Sequence, residues 1–186
     1  MWSSSSCNAG TKPRLRAWAW VLSAWMAAGI ADASWREVVN PAQRAGGGDF
    51  RWFGFRIYTA ELWTSRLPFD ASQPYALRLT YHRAISRDQF VDTSLDEIKR
   101  TRSEPPDPER LKRWRSLMQS AFVDVAPNDQ ITGLHLPGRG VRFYYQDRQT
   151  ADINDAEFAQ AFFAIWLSPA SRDQDLRNSL LGKAAP

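Results

Sequence analysis

Cysteine and histidine are nearly missing from this sequence: one Cys, at position 7, and two His, at 82 and 135, in 186 residues. A single thiol excludes an internal disulfide and any cysteine-rich zinc site. His82 and His135 sit in separate strand-like stretches, with no Glu-x-x-His or His-x-His company. A zinc site takes three or four N, S or carboxylate ligands, so both are read as strand histidines facing solvent or a satisfied partner. No metal and no cofactor is expected. No serine stands in Gly-x-Ser-x-Gly, which removes the α/β-hydrolase nucleophile turn. The run Gly46-Gly47-Gly48 lacks the Lys-Ser/Thr of a phosphate loop and precedes a strand-like stretch, so residues 41–48 read as a flexible loop. Long apolar runs are also missing. The stretch over residues 17–30 falls short of the roughly 20 residues that cross a bilayer.

That stretch nevertheless has the layout of an export signal. Lys12, Arg14 and Arg16 precede it, and Ala31-Asp32-Ala33 follows with the small-x-small pattern of a signal peptidase site. The expectation is a signal over residues 1–33, cleaved after Ala33, and a periplasmic or secreted domain over residues 34–186. Membrane contact is expected only through an uncleaved signal. Cys7 lies ahead of the apolar run, which argues against a lipoprotein, and no Arg-Arg pair marks export of a folded chain. Cleavage would remove three cations and one acid, lowering the formal charge from +4 to +2. Nucleic-acid binders usually show a concentrated basic face, so none is expected as a partner.

The rest is rich in aromatic residues set at strand or helix spacing. Residues 35–39 read as a short strand. Residues 50–63 form the longest β-like stretch, with Phe53, Phe55 and Ile57 alternating with Gly54, Arg56 and Tyr58 and a bulge or bend near Gly54 and Tyr58. Residues 75–83 alternate cleanly: Tyr75, Leu77, Leu79 and Tyr81 against Ala76, Arg78, Thr80 and His82. Ser86 and Gln89 form a capping box ahead of the stripe Phe90, Val91, Leu95 and Ile98. Asp107-Pro108-Glu109 starts a second helix with Leu111, Trp114, Leu117, Met118 and Ala121 inward. Strands follow over residues 130–136, 141–146 and 150–153. Asn154 and Glu157 cap a helix carrying Phe158, Phe162 and Trp166, Pro169 breaks it, and a last helix over residues 173–181 ends at Gly182. Strands and helices come in separate blocks, without a crossover helix after each strand. The fold class is therefore α+β, an antiparallel sheet with helices packed on one face.

Several charged sets compete for attention. Asp92, Asp96 and Glu97 are assigned to an exposed helix face. Arg110, Lys112, Arg113 and Arg115 surround Trp114, as a solvated face or as a patch for an acidic partner. Arg56, Arg78, His82 and Arg83 lie on strands whose other face is apolar. They either meet water on the open side of the sheet or orient a ligand in an apolar cleft.

Three segments together carry a resemblance: residues 53–63 (FGFRIYTAELW), residues 77–81 (LRLTY), and residues 158–167 with Leu176-Arg177 and Leu180-Leu181-Gly182. Over roughly residues 36–182 the chain resembles the exported bacterial branch of the chalcone isomerase-like proteins. The resemblance implies an open-faced β-sandwich, a long antiparallel sheet with helices layered on one side. Plant members close a chalcone into a flavanone, and non-catalytic relatives hold fatty acids in the corresponding cleft. The family's catalytic threonine falls at Ile57, its tyrosine at Phe90, its asparagine at Glu97 and its second threonine at Ala164. Its arginine corresponds to Arg44 or Arg51. Removing one oxyanion donor costs about 10²–10³ in rate, so plant-type cyclisation is not expected and no catalytic residue is assigned.

The expected function is binding of a small, partly apolar ligand, fatty-acyl or aromatic, between sheet and helices, with Arg51, Arg56, Tyr58, Tyr81 and His82 as candidate contacts. One alternative is an isomerase or intramolecular lyase with Tyr58, Tyr81 or His82 carrying protons. That requires arginines to pull a tyrosine down from its usual pKa of about 10. The other is an interaction module that docks through the basic Trp114 helix; the sequence names no protein partner.

Overall fold

The computed structural model describes residues 34–104 and 106–183. The expected signal segment lies outside them. The elements in chain order are α1 Trp35–Val38, β1 Gln43–Trp52, β2 Phe55–Thr64, β3 Tyr75–Tyr81, α2 Arg87–Thr101, α3 Pro108–Ala121, β4 Gln130–Leu136, β5 Gly140–Tyr145, β6 Arg148–Ile153, α4 Ala156–Leu167 and α5 Gln174–Leu180. The six strands form one sheet in sequence order, every neighbour antiparallel. Period-two alternation decides what each face carries. Ala60, Leu62, Leu77, Leu79, Tyr81, Ile131, Val141 and Phe143 point to the side covered by α2–α5 and share one core with Val91, Leu95, Trp114, Met118 and Phe158. Phe143 meets Phe122 and Phe162 edge-on, at ring distances of 4.8 and 5.1 Å, the arrangement aromatic quadrupoles favour. Trp35, Val39, Ala76, Leu134 and Tyr144 make a smaller cluster on the opposite face.

The helix starts follow the capping chemistry. Ser86 accepts from the Gln89 N–H and Asp107 from the Arg110 N–H. The third long helix, α4, is capped by Asp155 and not by Asn154: the Asp155 carboxylate accepts from the Phe158 N–H at 2.9 Å.

Five further expectations are corrected. Residues 35–38 are helical, not a strand: the Ser34 side chain accepts from the Arg36 N–H, and the buried Trp35 indole donates to Asp147 at 3.2 Å. A four-residue helix is too short for its periodicity to show. The triple glycine is not a flexible loop but the middle of β1, paired with β2. Helix α5 lies so close to this strand that a Cβ on Gly46 would stand 1.9 Å from the Ser179 carbonyl oxygen. Glycine there provides space. Residues 50–63 are two strands joined by a turn at Phe53 and Gly54, with φ of 47° and 80°; the register shift beside it falls between Phe50 and Arg51. Finally β3 stops at Tyr81, so His82 and Arg83 lie just past the sheet, and β6 begins at Arg148 because the β5–β6 turn is made by Gln146 and Asp147, both with positive φ.

Candidate functional site

Between the inner sheet face and helices α2, α4 and α5 lies a cavity of about 390 Å³. Strands β1–β3 supply Phe50, Trp52, Ile57, Tyr58, Leu79 and Tyr81; α2 supplies Phe90, Thr93, Ser94 and Glu97; α4 and the α4–α5 loop supply Ile165, Trp166 and Arg172. The rings lock one another: Phe50 stacks on Tyr58 at 5.0 Å, Tyr58 meets Tyr81 edge-on at 6.0 Å, and Phe90 touches Tyr81 at 5.9 Å while stacking on Phe122 at 4.4 Å. The walls are thus mainly aromatic and aliphatic.

Two phenol groups stand against these walls. The Trp166 indole N–H donates to Tyr58 Oη at 3.0 Å, which leaves the Tyr58 O–H available as a donor. Tyr81 is 2% exposed, and its Oη has no hydrogen-bond partner among the described residues. Burial pushes both phenols above their ordinary pKa, and for Tyr81 the neighbouring Tyr58 adds to the effect. The lowered tyrosine pKa that the isomerase alternative requires is therefore not met at Tyr58 or Tyr81. Both groups stay protonated, so each has an O–H to offer a ligand.

Glu97 also departs from its expected place. Instead of facing solvent with Asp92 and Asp96, it is 8% exposed and reaches the cavity. Arg100 donates to one carboxylate oxygen from Nε and Nη2 at 2.8 and 2.6 Å, and Arg172 donates to the other from Nε at 2.7 Å. Forked arginine–carboxylate contacts of this kind are the stronger class of ion pair. Phe90, Ser94 and Glu97 stand at i, i+4 and i+7, so the helical period itself would have placed Glu97 on the cavity side. Arg172 carries no such signal. It lies in a loop, and only the fold brings it to Glu97 and over the Trp52 ring at 5.4 Å.

Of the candidate contacts, Tyr58 and Tyr81 line the cavity, and Arg51, Arg56 and His82 lie outside it. Ile57, Phe90 and Glu97 line it as well; Ala164 does not. Neither Arg44 nor Arg51 reaches it: Arg44 pairs with Glu61 at 3.3 Å, and Arg51 with Asp49 at 3.4 Å. Thr59 Oγ1 contacts Asp49 at 2.7 Å and His82 Nε2 at 2.8 Å. Since the carboxylate only accepts, the hydroxyl proton goes to Asp49 and His82 donates to the hydroxyl. In that order Asp49, and not His82, is the acceptor that holds the Thr59 hydroxyl proton.

The basic helix turns Trp114 inward, as its spacing predicts. Trp114 has no exposure and its indole donates to Asp155 at 3.2 Å. Arg110 pairs with Glu157, Arg113 with Asp155 at 3.2 Å and Arg115 with Asp92, so these cations are occupied within the chain. His135 is buried rather than solvent-facing, stacks on Tyr75 at 4.6 Å and has its pKa lowered by burial. Among the described residues no group of three or more His, Cys, Asp or Glu is placed to hold a metal ion.

Comparison with known proteins agrees with this architecture. Residues 50–182 match the family described as chalcone isomerase-like. A Haemophilus influenzae protein, described as uncharacterized, is 32% identical over 142 residues, covering 76% of this chain and 68% of its own. The crystal structure of an Arabidopsis thaliana fatty-acid binding protein superposes with a TM-score of 0.58 at 13% identity, covering 77% of this chain and 88% of the other. With the family match spanning most of its length and the fold in accord, this chain belongs to the chalcone isomerase-like family.

Proposed function

We propose that residues 34–186, exported and released by cleavage after Ala33, bind a small, partly apolar ligand in this cavity and do not cyclise chalcones. The observation that carries the reading is the aromatic-walled cavity of about 390 Å³ with the unpartnered Tyr81 hydroxyl on its wall. That volume lies at the small end of the roughly 300–1,000 Å³ of small-molecule sites. An apolar wall with a few polar groups suits an acyl chain or aromatic body that ends in an acceptor oxygen. The fatty-acid binding of the similarly folded Arabidopsis protein supports the acyl class. Hydrocarbon at positions 57 and 90, where the family carries catalytic hydroxyls, argues against cyclisation.

Native mass spectrometry after detergent-free purification tests the reading, together with titration by fatty acids and aromatic carboxylic acids. Trp52 and Trp166 line the cavity, so intrinsic fluorescence reports occupancy. A co-purified or saturably binding ligand, displaced by Leu79→Trp, is the expected result. An empty protein that no member of either series saturates would overturn it.

A further inference from the structure

The β1–β2 hairpin tip carries a pattern that the cavity does not use. Four large apolar side chains are exposed among the described residues, and three are here: Trp52 at 47%, Phe53 at 86% and Phe55 at 59%. Single exposed apolar residues need no explanation, but a contiguous group of them marks an interaction site. The turn does not ask for these rings. Phe53 and Gly54 both have positive φ, a geometry that favours Asn-Gly and that a phenylalanine adopts against its steric preference.

Arginines surround the rings. Arg51 and Arg56 face each other in register at the base of the turn, and the Arg83 guanidinium lies 4.7 Å from the centre of the Phe55 ring. One carboxylate, Asp49, contacts Arg51 and Arg56, at 3.4 and 3.6 Å. Three cations against one acid leave the tip positive. Aromatic rings with interleaved arginines are the composition of a membrane–water boundary, where rings sit at the headgroup level and cations meet lipid phosphates.

We propose that this hairpin tip is a membrane-docking element for anionic lipid surfaces: Trp52, Phe53 and Phe55 enter the headgroup layer, and Arg51, Arg56 and Arg83 meet its phosphates. Trp52 also lines the cavity, so docking brings the cavity wall to the lipid surface. The docking does not depend on the ligand reading, since it requires only the hairpin. It extends the expectation from sequence, which allowed membrane contact only through an uncleaved signal.

The test uses the full chain with a local readout, so that residues 1–33 do not decide it. An environment-sensitive fluorophore is attached at Phe53→Cys in a Cys7→Ser background, and in a second protein at Ser120→Cys, exposed on α3. Vesicles of phosphatidylethanolamine with phosphatidylglycerol should shift the position-53 emission to shorter wavelength; phosphatidylcholine vesicles should not, and the position-120 probe should stay unchanged. Each neutralisation among Arg51→Gln, Arg56→Gln and Arg83→Gln should weaken the response about fivefold at low salt. No shift at position 53 with any vesicle would overturn the proposal, as would an equal shift at position 120. A shift that grows with protein concentration without lipid would point to self-association and overturn it as well.

Discussion

Tyr58 and Tyr81 offer a matched pair of perturbations with opposite expected results. Tyr81 is buried and Tyr58 partly buried, their rings are 6.0 Å apart, and removal of either hydroxyl deletes one oxygen from the same cavity wall. Tyr58→Phe strands the Trp166 indole N–H, which now donates to Tyr58 Oη at 3.0 Å. Leaving a buried donor unsatisfied costs about 1–3 kcal/mol. Tyr81→Phe strands nothing, because its Oη has no protein partner. The native state is then relieved of an uncompensated hydroxyl, so stability should stay level or rise by up to about 1 kcal/mol. Urea unfolding of ligand-free protein, followed by far-ultraviolet circular dichroism, measures both, with an unchanged m-value as the sign that only stability has moved. With ligand present the order should invert for Tyr81→Phe, which loses part of the ligand-induced stabilisation. A loss of more than about 1 kcal/mol for ligand-free Tyr81→Phe would refute the reasoning, since it would mean the hydroxyl already has a partner.

Gly46→Ala should lower stability by about 3 kcal/mol in thermal unfolding, because the new methyl would sit 1.9 Å from the Ser179 carbonyl and α5 must retreat. Gly54→Ala, with nothing within 4 Å of its Cβ, should lose only the roughly 1–2 kcal/mol of a left-handed backbone. Asp155→Ala removes a helix cap together with the acceptor for Trp114 and should cost about 2 kcal/mol. Burial pushes the Asp155 carboxyl up, but the hydrogen bonds from Phe158 and Trp114 and the charge of Arg113 outweigh it and hold the pKa below 3.8. Its contribution is therefore complete above the unfolded value and is lost as pH falls through the lower folded one. Asp155→Asn should flatten the stability–pH curve below about pH 4, and an unchanged slope would count against this assignment.

Much of this fold could be read from residue spacing, and the failures share a cause. The strand around Leu77 and Leu79 and the helices capped by Ser86 and Asp107 announce themselves because pattern and cap chemistry agree locally. The role of Gly46 is not legible locally because it depends on α5, some 130 positions later in the chain. The helix Trp35–Val38 is too short to show a period. In the site, Tyr81 follows from strand alternation, whereas alternation groups Tyr58 with Arg56, which lies outside the cavity; Glu97 is recoverable from i, i+4, i+7 spacing with Phe90 and Ser94. Arg172 was not, since a loop residue has no periodicity and its partner lies on another helix. Charge alone misled at Arg56 and His82, which the strand ends and the hairpin turn carry away from the hollow.

Trp35 bears on the order of events at the chain's beginning. It lies two residues past Ala33, wholly enclosed, tied by its indole to the far turn at Asp147. A peptidase reads its substrate as extended backbone on both sides of the bond it cuts. If that bond follows Ala33, the enzyme must act while α1 is still undocked from the β5–β6 turn. Maturation then precedes closure of the outer layer, and slow processing would favour a species in which the first helix never seats.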